Sequence, residues 1–154
     1  MKDVLKLEEI RLDERKNFME YLLLADESEE IINEYIHEGD MFSILLENLV
    51  IGVALFIQES PSIVELKNIA LLPEYRGRGF GKDIMNLAFE QYRRKSFQKM
   101  IVGTANSSIA NLAFYQKAGF RIVGIRKNFF NKYPNPIYED GIQAIDMIMF
   151  EKNL

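Results

Sequence analysis

LKNIALLPEYRGRGFGK, residues 66–82, is the stretch around which the fold is organised. Its apolar first half predicts a strand, which ends at Pro73 because proline has no N–H to donate. Its second half places three glycines and two arginines between Arg76 and Gly81, directly before a helical pattern that starts near Lys82. Glycines let a ligand approach the backbone closely, and the N–H groups at a helix start favour an anion. The stretch therefore predicts a strand, an anion-binding turn and a helix start.

The spacing of these glycines narrows the type of anion site. A P-loop is excluded because Arg76 stands where it needs glycine and Asp83 stands where it needs Ser or Thr. A dinucleotide fingerprint is excluded because its third glycine would fall on Lys82 or two residues beyond it. The spacing that remains is Arg-x-x-Gly-x-Gly, formed by Arg76, Gly79 and Gly81. Taken alone, this short pattern also fits an ordinary turn.

Composition limits the classes of protein that the chain can belong to. At 154 residues, 48% hydrophobic and 27% charged, it predicts one globular domain spanning residues 1–154. It has no cysteine and one histidine, His37, so thiolate and histidine-rich metal sites are excluded and we expect no metal. The start, MKDVLKLEEIRLDE, is charged throughout and unlike a signal peptide. We therefore expect a cytoplasmic protein that does not interact with a membrane.

Charge is unevenly distributed along the chain. Residues 1–40 carry thirteen Asp and Glu against five Lys and Arg, whereas residues 41–120 carry six against nine. No strongly basic surface is predicted, so we expect no nucleic-acid partner. The acidic block favours either a wall that attracts a cationic substrate or simply solvated helix faces.

Hydrophobic periodicity predicts an α/β (α+β) arrangement of elements. Strands are expected at 4–10, 41–46, 49–58, 99–104, 120–130 and 144–151, besides the strand of the opening stretch. Helices are expected at 13–26 with Asp13 as cap, at 28–37 with Ser28 as cap, at 82–96, and from Ser107 or Ser108 to Gly119. Residues 131–143 are expected to form a loop. This order predicts a mixed sheet with helices on both faces.

A second motif follows the first by about thirty residues. Residues 103–120 read GTANSSIANLAFYQKAGF, a strand end, a polar turn and a short helix that carries Tyr115 and Lys117 and ends at Gly119 and Phe120. Together the two motifs and their order resemble the GNAT N-acetyltransferase superfamily. The resemblance implies the GNAT fold, a mixed central β-sheet with splayed central parallel strands, and acetyl-CoA as co-substrate.

The resemblance also implies a set of binding residues. The glycine-rich loop would hold the pyrophosphate of acetyl-CoA through Arg76, Gly77, Arg78, Gly79, Phe80, Gly81 and Lys82. The strand before it would contact the acetyl and pantetheine parts through the main chain of Ile69, Ala70 and Leu71. Asn106 and Asn111 would contact pantetheine amides, although the family's usual asparagine falls on Ser108 in this chain.

The implied chemistry is acetyl transfer from a thioester to an amine. The acceptor is an ammonium at neutral pH, so a base must take a proton before nitrogen attacks. Glu65, eleven residues before Arg76, matches the carboxylate of the histone-acetylating branch and is the expected base, with Glu139 and Asp140 as rivals. Tyr115 is the expected acid for the departing thiolate, because a phenol can donate a hydrogen bond or a proton to sulfur.

These inferences predict an acetyl-CoA-dependent N-acetyltransferase that moves the acetyl group directly from the thioester to a primary amine. The acceptor would be a small amine, polyamine or aminoglycoside-like molecule, or a protein amine, and we expect it to be cationic. The alternative is a non-catalytic acyl-CoA-binding GNAT-fold sensor or interaction module. A homodimer is also possible for such a fold.

Overall fold

The computed structural model describes residues 4–154 and contains a seven-stranded mixed sheet with helices on both faces. The strands are β1 Leu5–Glu9, β2 Asp40–Leu46, β3 Leu49–Ser60, β4 Ile63–Leu71, β5 Lys99–Ala105, β6 Arg121–Arg126, β7 Tyr138–Glu139, β8 Ile142–Gln143 and β9 Met147–Asn153. The α-helices are α1 Met19–Leu22, α2 Glu29–Tyr35, α3 Phe80–Arg94 and α4 Ile109–Lys117. Short 3-10 helices lie at Leu12–Phe18, Pro73–Tyr75 and Phe129–Lys132. The predicted fold class is confirmed.

The two central strands separate, and this separation forms the site. The sheet order is β1-β2-β3-β4-β5-β9-β6, and among the strands of residues 4–154 only β4 and β5 pair in parallel. Their pairing runs from Ile63 opposite Lys99 to Leu66 opposite Val102, and no pairing follows although β4 continues to Leu71. The predicted splay of central parallel strands is therefore present, and it opens directly before the glycine-rich loop.

A bulge in β4 decides which face each of its residues occupies. Leu66 and Asn68 pair with adjacent residues of β3, so Lys67 is an extra residue between them. Before the bulge, Leu66 is buried in the core formed with α3 and α4. After it, Ala70 is buried in the core formed with α1 and α2, while Ile69 packs toward α3 and α4. The strand thus exchanges its faces just before the splay.

The first predicted helix differs most from the structure. Residues 13–26 were expected to form one capped helix, but a 3-10 helix occupies Leu12–Phe18 and α1 contains only four residues. Asp13 does not cap it, because its carboxylate accepts a hydrogen bond from Arg11 at 2.8 Å instead. By contrast, Ser28 caps α2 as predicted, since its Oγ accepts a hydrogen bond from the backbone N–H of Ile31 at 3.2 Å.

Two further local predictions have mixed outcomes. The hairpin between β2 and β3 is present, and its turn residues Glu47 and Asn48 both have positive φ, 49° and 72°. Ser108 occupies the N-cap position of α4, but its hydroxyl donates to Glu139 rather than capping the helix. Residues 131–143, expected to be a loop, contain the β7–β8 hairpin.

Within residues 4–154, no helix combines the length and apolar character needed to cross a membrane.

Candidate active site

A large open cleft of about 540 Å³ lies where β4 and β5 separate, and it collects most of the predicted binding residues. The predicted residues that line it are Ile69, Ala70, Leu71, Arg76, Gly77, Gly79, Gly81, Lys82, Asn111 and Tyr115. Its other lining residues come from α4, and sequence reasoning missed them: Ala110, Phe114, Lys117 and Ala118. They could have been identified from their spacing, because residues three or four positions from Asn111, Phe114 and Tyr115 lie on the same helix face.

The end of β4 offers main-chain donors to this cleft. The N–H of Leu72 donates to the carbonyl of Ile51 in β3 at 2.8 Å. Because N–H directions alternate along a strand, the N–H groups of Leu71 and Ile69 point away from β3, into the splay. On the same side, the Arg76 Nε–H donates to the Leu71 carbonyl at 3.0 Å. With β5 no longer paired there, these N–H groups are positioned to meet a ligand.

Each glycine of the loop has a distinct structural requirement. Gly77 and Gly79 adopt left-handed backbone conformations with φ of 71° and 82°, and a Cβ on either would meet nothing within 4 Å. Their surfaces therefore face open space, and Gly79 is the N-cap of α3. A Cβ on Gly81 would lie 2.8 Å from the ring of Phe114. Gly81 thus lets α3 pack closely against α4, and the first turn of α3 lines the cleft.

Two predicted loop side chains point elsewhere. The guanidinium carbon of Arg78 lies 5.5 Å from the ring centroid of Tyr75 and 5.0 Å from that of Phe80. Arg78 and Phe80 line a separate groove with Leu5 of β1, and the Phe80 side chain is buried in the core. Arg76 and Lys82 are the cationic loop side chains that line the large cleft.

Tyr115 forms part of the cleft wall and is 5% exposed. Its ring packs against Phe120 and Phe150, with centroid distances of 5.6 and 5.7 Å. Burial raises the pKa of its phenol above the usual value, so the hydroxyl keeps its proton at neutral pH. The side chain is therefore a fixed hydrogen-bond donor at the cleft.

The two predicted asparagines have different surroundings. Asn111 lines the large cleft, and its Nδ2 donates to Thr104 Oγ1 at 3.5 Å. Asn106 does not line the cleft, because its side chain is engaged with the segment before β9. Its Nδ2 donates to the Gln143 carbonyl at 3.2 Å, and its Oδ1 accepts from the N–H groups of Ile145 and the next residue at 2.8 and 3.1 Å. Asn106 fixes that segment rather than facing a ligand.

A second, small pocket of about 160 Å³ lies across the splay, toward α1 and α2. Three chain segments and Lys67 form most of its wall: residues 25–27, the end of β5 at 103–105, and residues 129–139. Thr104 lines this small pocket and is hydrogen-bonded to Asn111, which lines the large cleft. The two cavities are therefore neighbours at the end of β5.

Asp26 ties two walls of the small pocket together. One carboxylate oxygen accepts a hydrogen bond from the hydroxyl of Tyr35 at 2.9 Å, and the other accepts one from Tyr133 at 2.9 Å. Tyr35 also accepts from Asn68 Nδ2 at 3.0 Å. Burial raises the pKa of both tyrosines, so both hydroxyls remain donors to Asp26. This network joins residues after α1 to residues before β7 and shapes the pocket.

The three candidate bases occupy different places. Glu139 lines the small pocket, and its Oε1 accepts hydrogen bonds from Ser108 at 2.7 Å and Ser107 at 3.5 Å. Glu65 lies within the paired part of β4, between β3 and β5, and lines neither cavity. Asp140 is exposed in the β7–β8 turn with φ of 53°. The geometry therefore brings Glu139, and neither of the other two, to a cavity wall.

Among residues 4–154, no group of three or more His, Asp or Glu side chains is arranged to hold a metal ion. The site consists of a phosphate-type loop, exposed strand N–H groups, a buried phenol and a carboxylate next to a second cavity. This combination of an anion-binding loop, main-chain donors, a phenol and a carboxylate suits a group-transfer reaction on a phosphate-bearing substrate.

Comparison with known proteins specifies the class. Residues 7–120 match the model of the acetyltransferase (GNAT) family. The chain is 37% identical over 142 residues to YvbK, an uncharacterized N-acetyltransferase of Bacillus subtilis, covering 90% of this chain and 92% of that protein. The chain therefore belongs to the GNAT family, and it is an N-acetyltransferase with acetyl-CoA as donor.

Two crystal structures support this assignment. A GNAT family acetyltransferase from Elizabethkingia anophelis, with acetyl-CoA bound, has a TM-score of 0.92 and 35% identity, covering 99% of this chain and 100% of the other. A Bacillus subtilis acetyltransferase in complex with CoA has a TM-score of 0.85 and 36% identity, with 99% of each chain covered.

Proposed function

We propose that the large cleft binds acetyl-CoA, that an amine enters the small pocket, and that the acetyl group moves directly from sulfur to nitrogen where the two cavities meet. The observation that carries this proposal is the placement of the splay. It exposes the N–H groups of Ile69 and Leu71 between a phosphate-type loop and a pocket lined by a carboxylate. Bound acetyl-CoA and CoA in the two similar structures agree with the donor assignment.

The glycine-rich loop is proposed to hold the pyrophosphate. Gly77 and Gly79 leave open space beside the backbone, and the N-terminus of the fifteen-residue helix α3 supplies N–H groups and a favourable dipole. Arg76 and Lys82 add positive charge at the same wall. Pantetheine would then extend along the end of β4, where Asn111 is available for an amide contact. Arg78, Phe80 and Asn106 are not proposed as side-chain contacts.

The chemical step balances without a further reagent. The neutral amine nitrogen attacks the thioester carbonyl carbon, a C–N bond forms, and the C–S bond breaks. The amine loses two protons relative to its ammonium form, one before attack and one after it. The departing thiolate takes one proton, so the products are an amide, free CoA and one proton. Strand N–H groups from Ile69 and Leu71 would polarise the carbonyl, and Tyr115 would donate to the sulfur.

Glu139 is the base that the geometry favours. It lines the pocket from which the amine would approach, and hydrogen bonds from Ser107 and Ser108 hold it at the start of α4. A general base must lie within reach of the proton that it removes. Glu65, the base expected from the family resemblance, lines neither cavity and would need a water relay. Its role stays a prediction.

An acceptor screen tests the proposed function. The protein is incubated with acetyl-CoA and a panel of small amines, amino acids, polyamines, aminoglycosides and peptides, while free thiol is measured. Acetylation of at least one amine, confirmed by mass spectrometry of the product, is expected. Release of thiol without an acetylated product, or no turnover in protein that binds acetyl-CoA, would contradict amine acetylation. The cationic acceptor expected from the sequence would be the ammonium form of such an amine.

A homodimer through β6 is a further part of this proposal. β6 is the last strand in the sheet order, and its Ile122, Val123 and Ile125 are 53%, 54% and 59% exposed. An edge strand with exposed apolar residues is suited to pairing with a second copy.

A cytoplasmic location is also proposed, because a cysteine-free chain suits a reducing compartment.

A further inference from the structure

The small pocket carries charges of both signs, from three acids and two bases. Of its acids Asp26, Glu27 and Glu139, Asp26 and Glu139 accept hydrogen bonds from tyrosine and serine hydroxyls. Its bases are Lys67 and Lys132. Among the ion pairs of residues 4–154, none contains either lysine. The pocket therefore presents two ammonium groups without a carboxylate partner.

Each of these ammonium groups lies over an aromatic ring. Lys67, the extra residue of the β4 bulge, has its Nζ 5.2 Å from the ring centroid of Tyr35. Lys132 has its Nζ 4.1 Å from the ring centroid of Phe129. Such contacts orient an ammonium group without neutralising it. Because Leu66 is buried on the opposite face of the sheet, the alternation of side chains along the strand places Lys67 on the pocket side.

The two lysines also influence each other. Burial lowers the pKa of Lys132, and the positive charge of Lys67 lowers it further, as Arg126 does to a smaller extent. The carboxylates of Glu34 and Asp26 oppose this effect. Two cations that repel each other favour an anion between them, because an anion relieves the repulsion.

The size of the pocket limits what can enter. Its volume of about 160 Å³ is far below the 300 Å³ or more of pockets for drug-sized ligands. It is close to the ~150 Å³ of an engineered cavity that holds benzene. A molecule of a few heavy atoms beyond its amine would fill it.

We propose that the acceptor is a small aminocarboxylate, whose amine approaches Glu139 and whose carboxylate lies between Lys67 and Lys132. This inference rests on the proposed function, since it names the substrate class of the same pocket. It uses both signs of charge: Glu139 would meet the ammonium end of the acceptor, and Lys67 and Lys132 would meet its carboxylate.

Matched substrate pairs test the proposal. Free amino acids of increasing size, together with β-alanine and γ-aminobutyrate, are each compared with the corresponding carboxamide at saturating acetyl-CoA. The carboxamide keeps the amine and nearly the same volume but removes the negative charge. We expect at least one free acid to have a kcat/KM about tenfold or more above that of its amide, because pairing with two ammonium groups is lost in the amide.

Lysine variants locate the effect. Lys67→Met and Lys132→Met are each expected to lower kcat/KM for the preferred acid about tenfold, mainly through KM, and to leave the amide nearly unchanged. Lys6→Met is the matched control, because Lys6 is exposed on β1 at the far edge of the sheet. If Lys67→Met disturbs the bulge, Lys132→Met still tests the proposal, because Lys132 is exposed and its substitution should leave the protein folded.

The outcomes separate this inference from the proposed function. Acetylation of polyamines or carboxamides in preference to every free acid would overturn the aminocarboxylate while leaving amine acetylation intact. An equal loss on acid and amide in both lysine variants would also overturn it. If no amine is acetylated, the proposed function fails as well. Calorimetric binding of the free acid to the protein–CoA complex, weakened in Lys132→Met, would still support the pocket assignment.

Discussion

Tyr115 shows how one side chain combines packing with chemistry. Its ring is held between Phe120 and Phe150, and its burial keeps the phenol protonated. Tyr115→Phe should preserve this packing and remove only the hydroxyl. We expect kcat to fall about 100-fold, the size of a general acid–base contribution, while the Kd for acetyl-CoA and the melting temperature stay near those of the native protein. An unchanged kcat would remove Tyr115 from the mechanism.

Glu139 and Glu65 form a second residue-level comparison. Glu139→Gln should lower kcat/KM about 100-fold at neutral pH, because the amide cannot take a proton from the acceptor amine. The same change at Glu65 should have a small effect, since Glu65 lines neither cavity. Rate profiles against pH for both variants and the native protein provide the measurement. If Glu65→Gln causes the larger loss, the base acts through water from the sheet, as the family resemblance predicts.

At the scale of elements, a single arginine connects the segment of residues 12–22 to the end of α2. Arg15 is 3% exposed, and its guanidinium donates to the carbonyls of Ile36, Glu38 and Gly39 at 2.9, 2.7 and 2.7 Å. These carbonyls follow α2, so Arg15 joins the 3-10 helix to the end of α2. It thereby supports the turn that follows α2.

Arg15→Met tests this support. Removing the fork leaves the three carbonyls without their donors, so we expect the free energy of unfolding to fall by about 2–4 kcal/mol in urea titrations. Arg15→Lys is the control, since it keeps the charge but not the planar fork, and it should lose less. If Arg15→Met lowers the free energy of unfolding by less than about 0.5 kcal/mol, the size typical of a surface substitution, the carbonyls have found other hydrogen-bond partners and this role is contradicted.

The same region shows which elements local sequence predicts. The β2–β3 turn, the Ser28 cap and the start of α3 follow from residues next to one another, and all three are present. The predicted helix at 13–26 failed because the partners of Arg15 lie more than twenty residues away. The bulge at Lys67 likewise depends on pairing with β3, which no local pattern contains.

At the scale of the whole molecule, the two cavities differ in how far they could be predicted. The large cleft is built mainly from two continuous motifs, so most of its residues were identified. Arg78 and Phe80 were exceptions, because their side chains line a different groove. Asn106 was an exception because its partners precede β9.

The small pocket was largely beyond sequence reasoning. Its walls come from residues 25–27, 103–105 and 129–139, which are brought together only by tertiary packing. The Asp26 network that closes it joins residues more than one hundred positions apart in the chain, as the hydrogen bond from Tyr133 to Asp26 shows. Glu139 was predicted as a rival base, whereas the presence of Lys67 and Lys132 in one pocket was not predicted.

In the proposed mechanism the molecule as a whole binds a donor and an acceptor on two sides of one splayed sheet, and calorimetry of acetyl-CoA binding tests the donor half of this proposal most directly. The native protein should bind acetyl-CoA with one site per chain. Gly79→Glu should reduce affinity about 100-fold or more, because it adds a negative charge at the phosphate loop and a side chain at a φ of 82°. Lys132→Met, which alters only the small pocket, should bind as the native protein does. Retained affinity in folded Gly79→Glu would contradict the account.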